Sequence, residues 1–95
     1  MPDEQLVIRV HALKRMAQRG IAEPDIRHVI ETGETIERYP KDKPYPSRLI
    51  LGRHEERPPH VLVAENKIDR NRIVITVYEP DPEKWETDLR TRKPQ

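Results

Sequence analysis

The amino-acid sequence predicts an α+β fold: two N-terminal helices packed on a three- to four-stranded antiparallel sheet, with a short helix near the C-terminus. Three observations carry this prediction. Between residues 10 and 33 apolar side chains recur near every fourth position, and beyond Gly33 the period falls to two. Asp81-Pro82-Glu83, just ahead of Trp85, is a helix-start signal.

The elements follow in order. Leu6-Val-Ile8 is a short β-branched run that reads as an edge strand. The first helix is expected over Val10 to Arg19, with Leu13, Met16 and Ala17 as its apolar stripe and Gly20 in the left-handed position beyond its end. Pro24 suits the first turn of a second helix, Ile26, Val29 and Ile30 give that helix its stripe, and Gly33 ends it. Thr35 to Tyr39 alternates as a half-exposed strand, and Pro40 to Pro46 is a loop by its prolines.

Three stronger strands come next, over Arg48–Arg53, His60–Glu65 and Arg72–Tyr78. The short links between them, His54 to Pro59 and Lys67 to Asn71, favour antiparallel neighbours. Parity in the last strand puts Ile73, Ile75 and Val77 toward the helices and Val74, Thr76 and Tyr78 on the other face. In the final segment Trp85 and Leu89 are spaced to dock as one helical face. Residues 91–95 are expected to fray, giving a single domain over 1–95 with its core between 6 and 90.

Composition narrows the function classes. Of 95 residues 34% are apolar and 37% charged, a thin core for which pairing as a homodimer is an expectation. With no cysteine, disulfides and thiolate chemistry are excluded. No apolar run is long enough to span a membrane and no leader is expected at the N-terminus, so the expected location is cytoplasmic. The net charge of +1 hides a polarity. Residues 9–22 hold Arg9, Lys14, Arg15 and Arg19 with no acid, whereas residues 23–37 hold five acids against Arg27.

The candidate chemistry begins in the first helix. His11, Arg15 and Arg19 recur every fourth residue, so they share one side, where like charges repel unless an anion joins them. A solvated basic face explains the same spacing, and Arg19 also suits the dipole at the helix end. His60 opens a strand whose neighbour carries Thr76 and Tyr78. None of the four histidines has the spacing of a helical metal site, so no metal and no cofactor is expected.

Histidine pKa values suit the proton transfers of RNA cleavage, and arginine suits the phosphate charge. On that chemistry His11, Arg15, His60 and Tyr78 are the catalytic candidates, with Lys14, Arg19 and Thr76 binding substrate. Tyr78 equally fits a core cap with its hydroxyl in water, Thr76 an ordinary strand residue, and Trp85 a packing anchor.

The pattern His11-Ala-Leu-x-Arg-Met-x-x-Arg-Gly-Ile21 with Gly33 resembles the bacterial "domain of unknown function 4258" family. So do Lys43-Pro-Tyr-Pro46, Leu49-Ile-Leu-Gly52, His60-Val-x-Val-Ala64 and Ile75-Thr-Val-Tyr-Glu-Pro-Asp-Pro-Glu-Lys-Trp85, and the likeness extends from about His11 to Arg92. Ala22 stands where relatives carry a serine helix cap, and Pro59 where an aliphatic residue is usual. The family is similar to the RelE and BrnT ribonuclease toxins of toxin–antitoxin systems. That likeness implies a fold of the RelE and barnase–EndoU–colicin kind, RNA, above all mRNA, as substrate, and a cognate antitoxin protein as partner. The expected function is therefore a toxin-like, metal-independent endoribonuclease. The alternative is a non-catalytic module of the same fold that binds protein or nucleic acid.

Overall fold

The computed structural model describes residues 5–52 and 59–94. The elements are β1 (Gln5–Ile8), α1 (Val10–Arg19), α2 (Glu23–Thr32), β2 (Glu34–Tyr39), β3 (Ser47–Leu51), β4 (His60–Asn66) and β5 (Asn71–Tyr78). The turn expected over His54 to Pro59 lies almost wholly outside the described residues.

Both helices form for local reasons. α1 ends in a Schellman motif: Gly20 is left-handed at φ 67°, its N–H donates to Ala17 and that of Ile21 to Met16. α2 starts at Ala22, which has no side-chain acceptor to cap the helix. Asp25 compensates by accepting the Ala22 backbone N–H at 2.9 Å, and Pro24 sits in the first turn. Gly33 then lets the chain pass close under the sheet, since a Cβ there would lie 2.6 Å from the Ile50 side chain.

The sheet corrects the predicted fold. It has five strands in the order β1-β5-β4-β3-β2 and is mixed, because β1 runs parallel to β5 while the other pairs are antiparallel. The α+β class stands; the three- to four-stranded antiparallel sheet does not. Short links determine neighbours only within β2 to β5. The partner of β1 lies at the far end of the chain, where no local signal reports it.

The C-terminal helix is also absent. Asp81 does cap one turn, taking the N–H of Glu83 on its side chain and those of Lys84 and Trp85 on its carbonyl. Asp88 then takes the N–H groups of Arg90 and Thr91, offering the backbone an alternative to the helix ladder. Leu89 turns left-handed at φ 61°, and Trp85 pairs as a bridge with Arg92. Residues 79–94 therefore form an irregular strap rather than a helix.

Helices and strap take opposite faces of the sheet. On the helix side, Ala12, Met16, Ile26, Val29 and Ile30 pack with Ile50, Val61, Val63, Val74 and Val77. Alternation sends Leu49, Leu51, His60 and Ala64 to the other side, where Trp85 of the strap is buried. The parity expected for β5 fails midway. Leu62 opposes Thr76 but Val63 opposes Val74, so Ile75 is an extra, bulged residue, and Val74 and Val77 both reach the helix side.

Candidate functional site

The predicted site residues fall into two groups, one on α1 with its contact Thr76 and one around His60. On the helix side, α1 rests Ala12 and Met16 against the core and turns its basic residues outward. His11 Nε2 lies 3.1 Å from the Thr76 hydroxyl, just beyond the point where β1 ends beside β5. Lys14 and Arg15 are exposed and make no ion pair among the described residues. Arg19 is paired with the Glu79 carboxylate, so the chain itself supplies an anion to this guanidinium. The Arg19 Nε is enclosed without a hydrogen-bond partner.

His60 and Tyr78 form the second group, on the face that the strap covers. They oppose each other in the β4–β5 ladder, with ring centroids 5.2 Å apart. His60 is fully buried and meets the Trp85 ring nearly at a right angle, 4.4 Å between centroids. Its Nε2–H donates to the Leu89 carbonyl at 2.7 Å, and because a carbonyl can only accept, this bond assigns the proton to Nε2. Nδ1 is enclosed with no partner. Burial pulls the His60 pKa down, and the guanidinium of Arg92 adds to the effect.

Three residues not singled out from the sequence complete this group. Glu37 and Tyr39 are two apart on β2 and share its face. Arg92 of the strap donates two bonds to the Glu37 carboxylate, at 2.9 and 3.1 Å, and the Tyr39 hydroxyl donates a third. The Arg92 guanidinium also lies 4.5 Å above the Trp85 ring. Arg90, two residues earlier in the strap, pairs with Glu34.

The electrostatics follow from these contacts. The Arg92 bonds hold Glu37 below the ordinary carboxylate range, and the same bonds keep Arg92 firmly protonated. Burial raises the Tyr39 phenol and the neighbouring carboxylate raises it further. Burial likewise raises Tyr78. One small area thus holds an ionised carboxylate, a fixed guanidinium, two protonated phenols and a neutral imidazole. Such convergence of perturbed groups is a mark of functional sites, although ion pairs that only fasten a segment also perturb pKa values.

The sequence does carry a signal for Glu37 and Tyr39: an acid and a phenol at i, i+2 on a strand must face the same way. Arg92 has no such signal, because the tail was expected to fray. Among the described residues no three His, Asp or Glu side chains are grouped to share a metal ion, and no helix is long and apolar enough to cross a membrane. His28 is exposed on α2. His54 lies outside the described residues.

A family model described as "domain of unknown function (DUF4258)" matches residues 8–79. The chain belongs to that family. The DUF4258 match takes in Glu37, Tyr39, His60 and Tyr78 and stops at Glu79, short of the Arg92 to which the sequence likeness extends. Arg92 and Trp85 thus belong to the strap and not to the matched segment. No curated protein and no solved structure matches the chain.

Proposed function

We propose that this DUF4258 domain is a toxin-like endoribonuclease whose reacting groups lie on the strap side of the sheet. The observation that carries this reading is the convergence of Glu37, Tyr39, Tyr78 and Arg92 on one partly open surface. The likeness of the family to the RelE and BrnT toxins supports the same reaction class. Its substrate would be RNA, above all mRNA, and its partner a cognate antitoxin in the cytoplasm.

In this proposal a phosphodiester displaces Glu37 from the Arg92 fork, which then binds the non-bridging phosphate oxygens. The freed Glu37 carboxylate takes the proton of the 2′-hydroxyl, whose oxygen forms a bond to phosphorus. The bond from phosphorus to the 5′-oxygen breaks, and a phenol of Tyr39 or Tyr78, protonated at neutral pH, supplies the proton to that leaving oxygen. The products are a 2′,3′-cyclic phosphate and a 5′-hydroxyl. His60, fully enclosed, positions Tyr78 and Trp85. Lys14 and Arg15 draw the polyanion to the domain from the helix side.

The test is cleavage of an end-labelled single-stranded RNA by purified protein, free and with ribosomes. The Glu37→Gln variant should lose activity by about 10²–10⁴-fold while keeping its circular dichroism. A wild-type protein that cuts no RNA under either condition, or a variant that cuts at the wild-type rate, would overturn the assignment.

A second reading, a non-catalytic module that binds protein, is favoured by one observation. Val10 and Leu13 are exposed large apolar residues three apart on α1, and Val7 is exposed on β1, the edge strand of the sheet. That surface suits a strand or helix of an antitoxin, or a second copy in a homodimer.

A further inference from the structure

Away from the surface discussed so far, a cavity of about 150 Å³ opens at the end of the sheet where β2, β3 and β4 meet their loops. Its charged lining is Arg38, Arg48, Lys67 and Glu65, with the Ser47 hydroxyl in the wall. Three cations thus stand against one carboxylate. That carboxylate is already engaged, since Glu65 accepts from Arg48 Nε at 2.7 Å. Arg48 also donates to the Thr35 hydroxyl at 2.8 Å, which fixes its guanidinium in place. Ser47 donates to Asp42 at 2.5 Å.

Arg38 is the unexplained residue. It lies directly opposite Arg48 in the β2–β3 ladder, a cross-strand like-charge pair that destabilises a sheet when nothing bridges it. Neither Arg38 nor Lys67 makes a hydrogen bond or ion pair among the described residues. Two uncompensated cations and a locked third therefore converge on a hollow far smaller than a drug-sized pocket. A tetrahedral oxyanion can bridge two guanidinium groups and an ammonium at once.

We propose that this cavity binds a phosphate group. Arg38 and Lys67 close on the anion from the rim and Arg48 holds it from within; Glu65 keeps Arg48 oriented and limits the net positive charge. The phosphate is either a monoester on a small molecule or a diester of a nucleic-acid backbone. The proposal stands whether or not the opposite face cleaves RNA.

The experiment is a titration of the isotope-labelled full chain followed by amide NMR at matched ionic strength. Inorganic phosphate, adenosine 5′-monophosphate and a short oligothymidylate with hydroxyl ends are the probes. The oligothymidylate carries only diesters and lacks the 2′-hydroxyl that cleavage needs. Saturable shifts centred on Ser47, Arg48 and Lys67 are expected with at least one probe. The Arg38→Ala, Lys67→Ala double variant, which removes only exposed unpaired side chains, should weaken binding about tenfold or more without lowering Tm. Preference for the nucleotide and free phosphate makes the source a monoester, and preference for the oligomer makes it a backbone diester. The proposal is overturned if no probe saturates by about 10 mM, if sodium chloride reproduces the shifts, or if the double variant binds like the wild type.

Discussion

The two faces of the sheet are closed by different means. On the helix side ten buried apolar residues, five from α1 and α2 and five from β3, β4 and β5, pack together, so closure there rests on area removed from water. On the strap side an irregular segment is held by one buried indole, a histidine–carbonyl bond and ion pairs at its rim. The contrast teaches that the apolar core under the helices is robust, while the strap side holds polar groups in a low-dielectric setting where removing one is felt by the rest.

The largest expected break in that comparison comes from Trp85→Ala. Trp85 is 3% exposed and is the strap's main apolar contact, so truncation should cost about 3–5 kcal/mol in urea unfolding. Ile26→Ala on the helix side should cost about 2–5 kcal/mol by the same mechanism. The two variants should separate by hydrogen exchange: the first loosens residues 79–94 selectively, the second loosens the helices. Equal exchange patterns would show that the faces do not act as separate units.

A pH series sharpens the contrast next. Burial holds the His60 pKa below its ordinary 6.5, so as pH falls the unfolded chain takes up this proton before the folded one. The associated stability is complete above about pH 6.5 and is lost as pH falls toward the folded value. Glu37, also lowered, adds a loss at more acid pH, below its ordinary 4.5. Urea midpoints at about pH 7.5 and 5.5 test the first step, and an unchanged midpoint would argue against a neutral buried ring.

Smaller effects follow. Arg92→Ala removes a mostly exposed ion pair and its stacking on Trp85, and should lower stability by about 1 kcal/mol, less at high salt. Val10→Ser, on the exposed side of α1, should change stability by no more than about 0.5 kcal/mol. A larger loss at Val10 would mean that this patch is covered in solution.

The helix side is the more legible one, although α1 packs on Ala12 and Met16 and leaves Leu13 and Ala17 of its expected stripe exposed. The bounds of α1, the stripe of α2 and the breaks at Gly20 and Gly33 all follow from local periodicity and backbone chemistry, which a sequence carries on its face. What was hidden depends on pairing between distant residues. The bulge at Ile75 inverts half of β5's parity, and nothing in Ile73 to Tyr78 marks which residue is the extra one. The strap defeats a sound helix-start signal because Asp88 and Leu89 redirect the chain a turn later. Of the candidate site residues, His11 with Thr76 and His60 with Tyr78 form two separate pairs, and no contact joins one pair to the other. Glu37 was passed over because a half-exposed acid on an edge strand looks like solvated surface until Arg92 is seen to bond it.

The parallel ladder between β1 and β5 has a consequence for biogenesis. Gln5 cannot meet Asn71, nor Ile8 meet Val74, until the ribosome has released nearly the whole matched domain. Until β5 emerges, β1 on one side and β4 on the other both wait with unpaired edges, since β5 is the partner of each. Translation speed through the codons of β5 would then govern how often nascent chains reach the native state instead of pairing with each other.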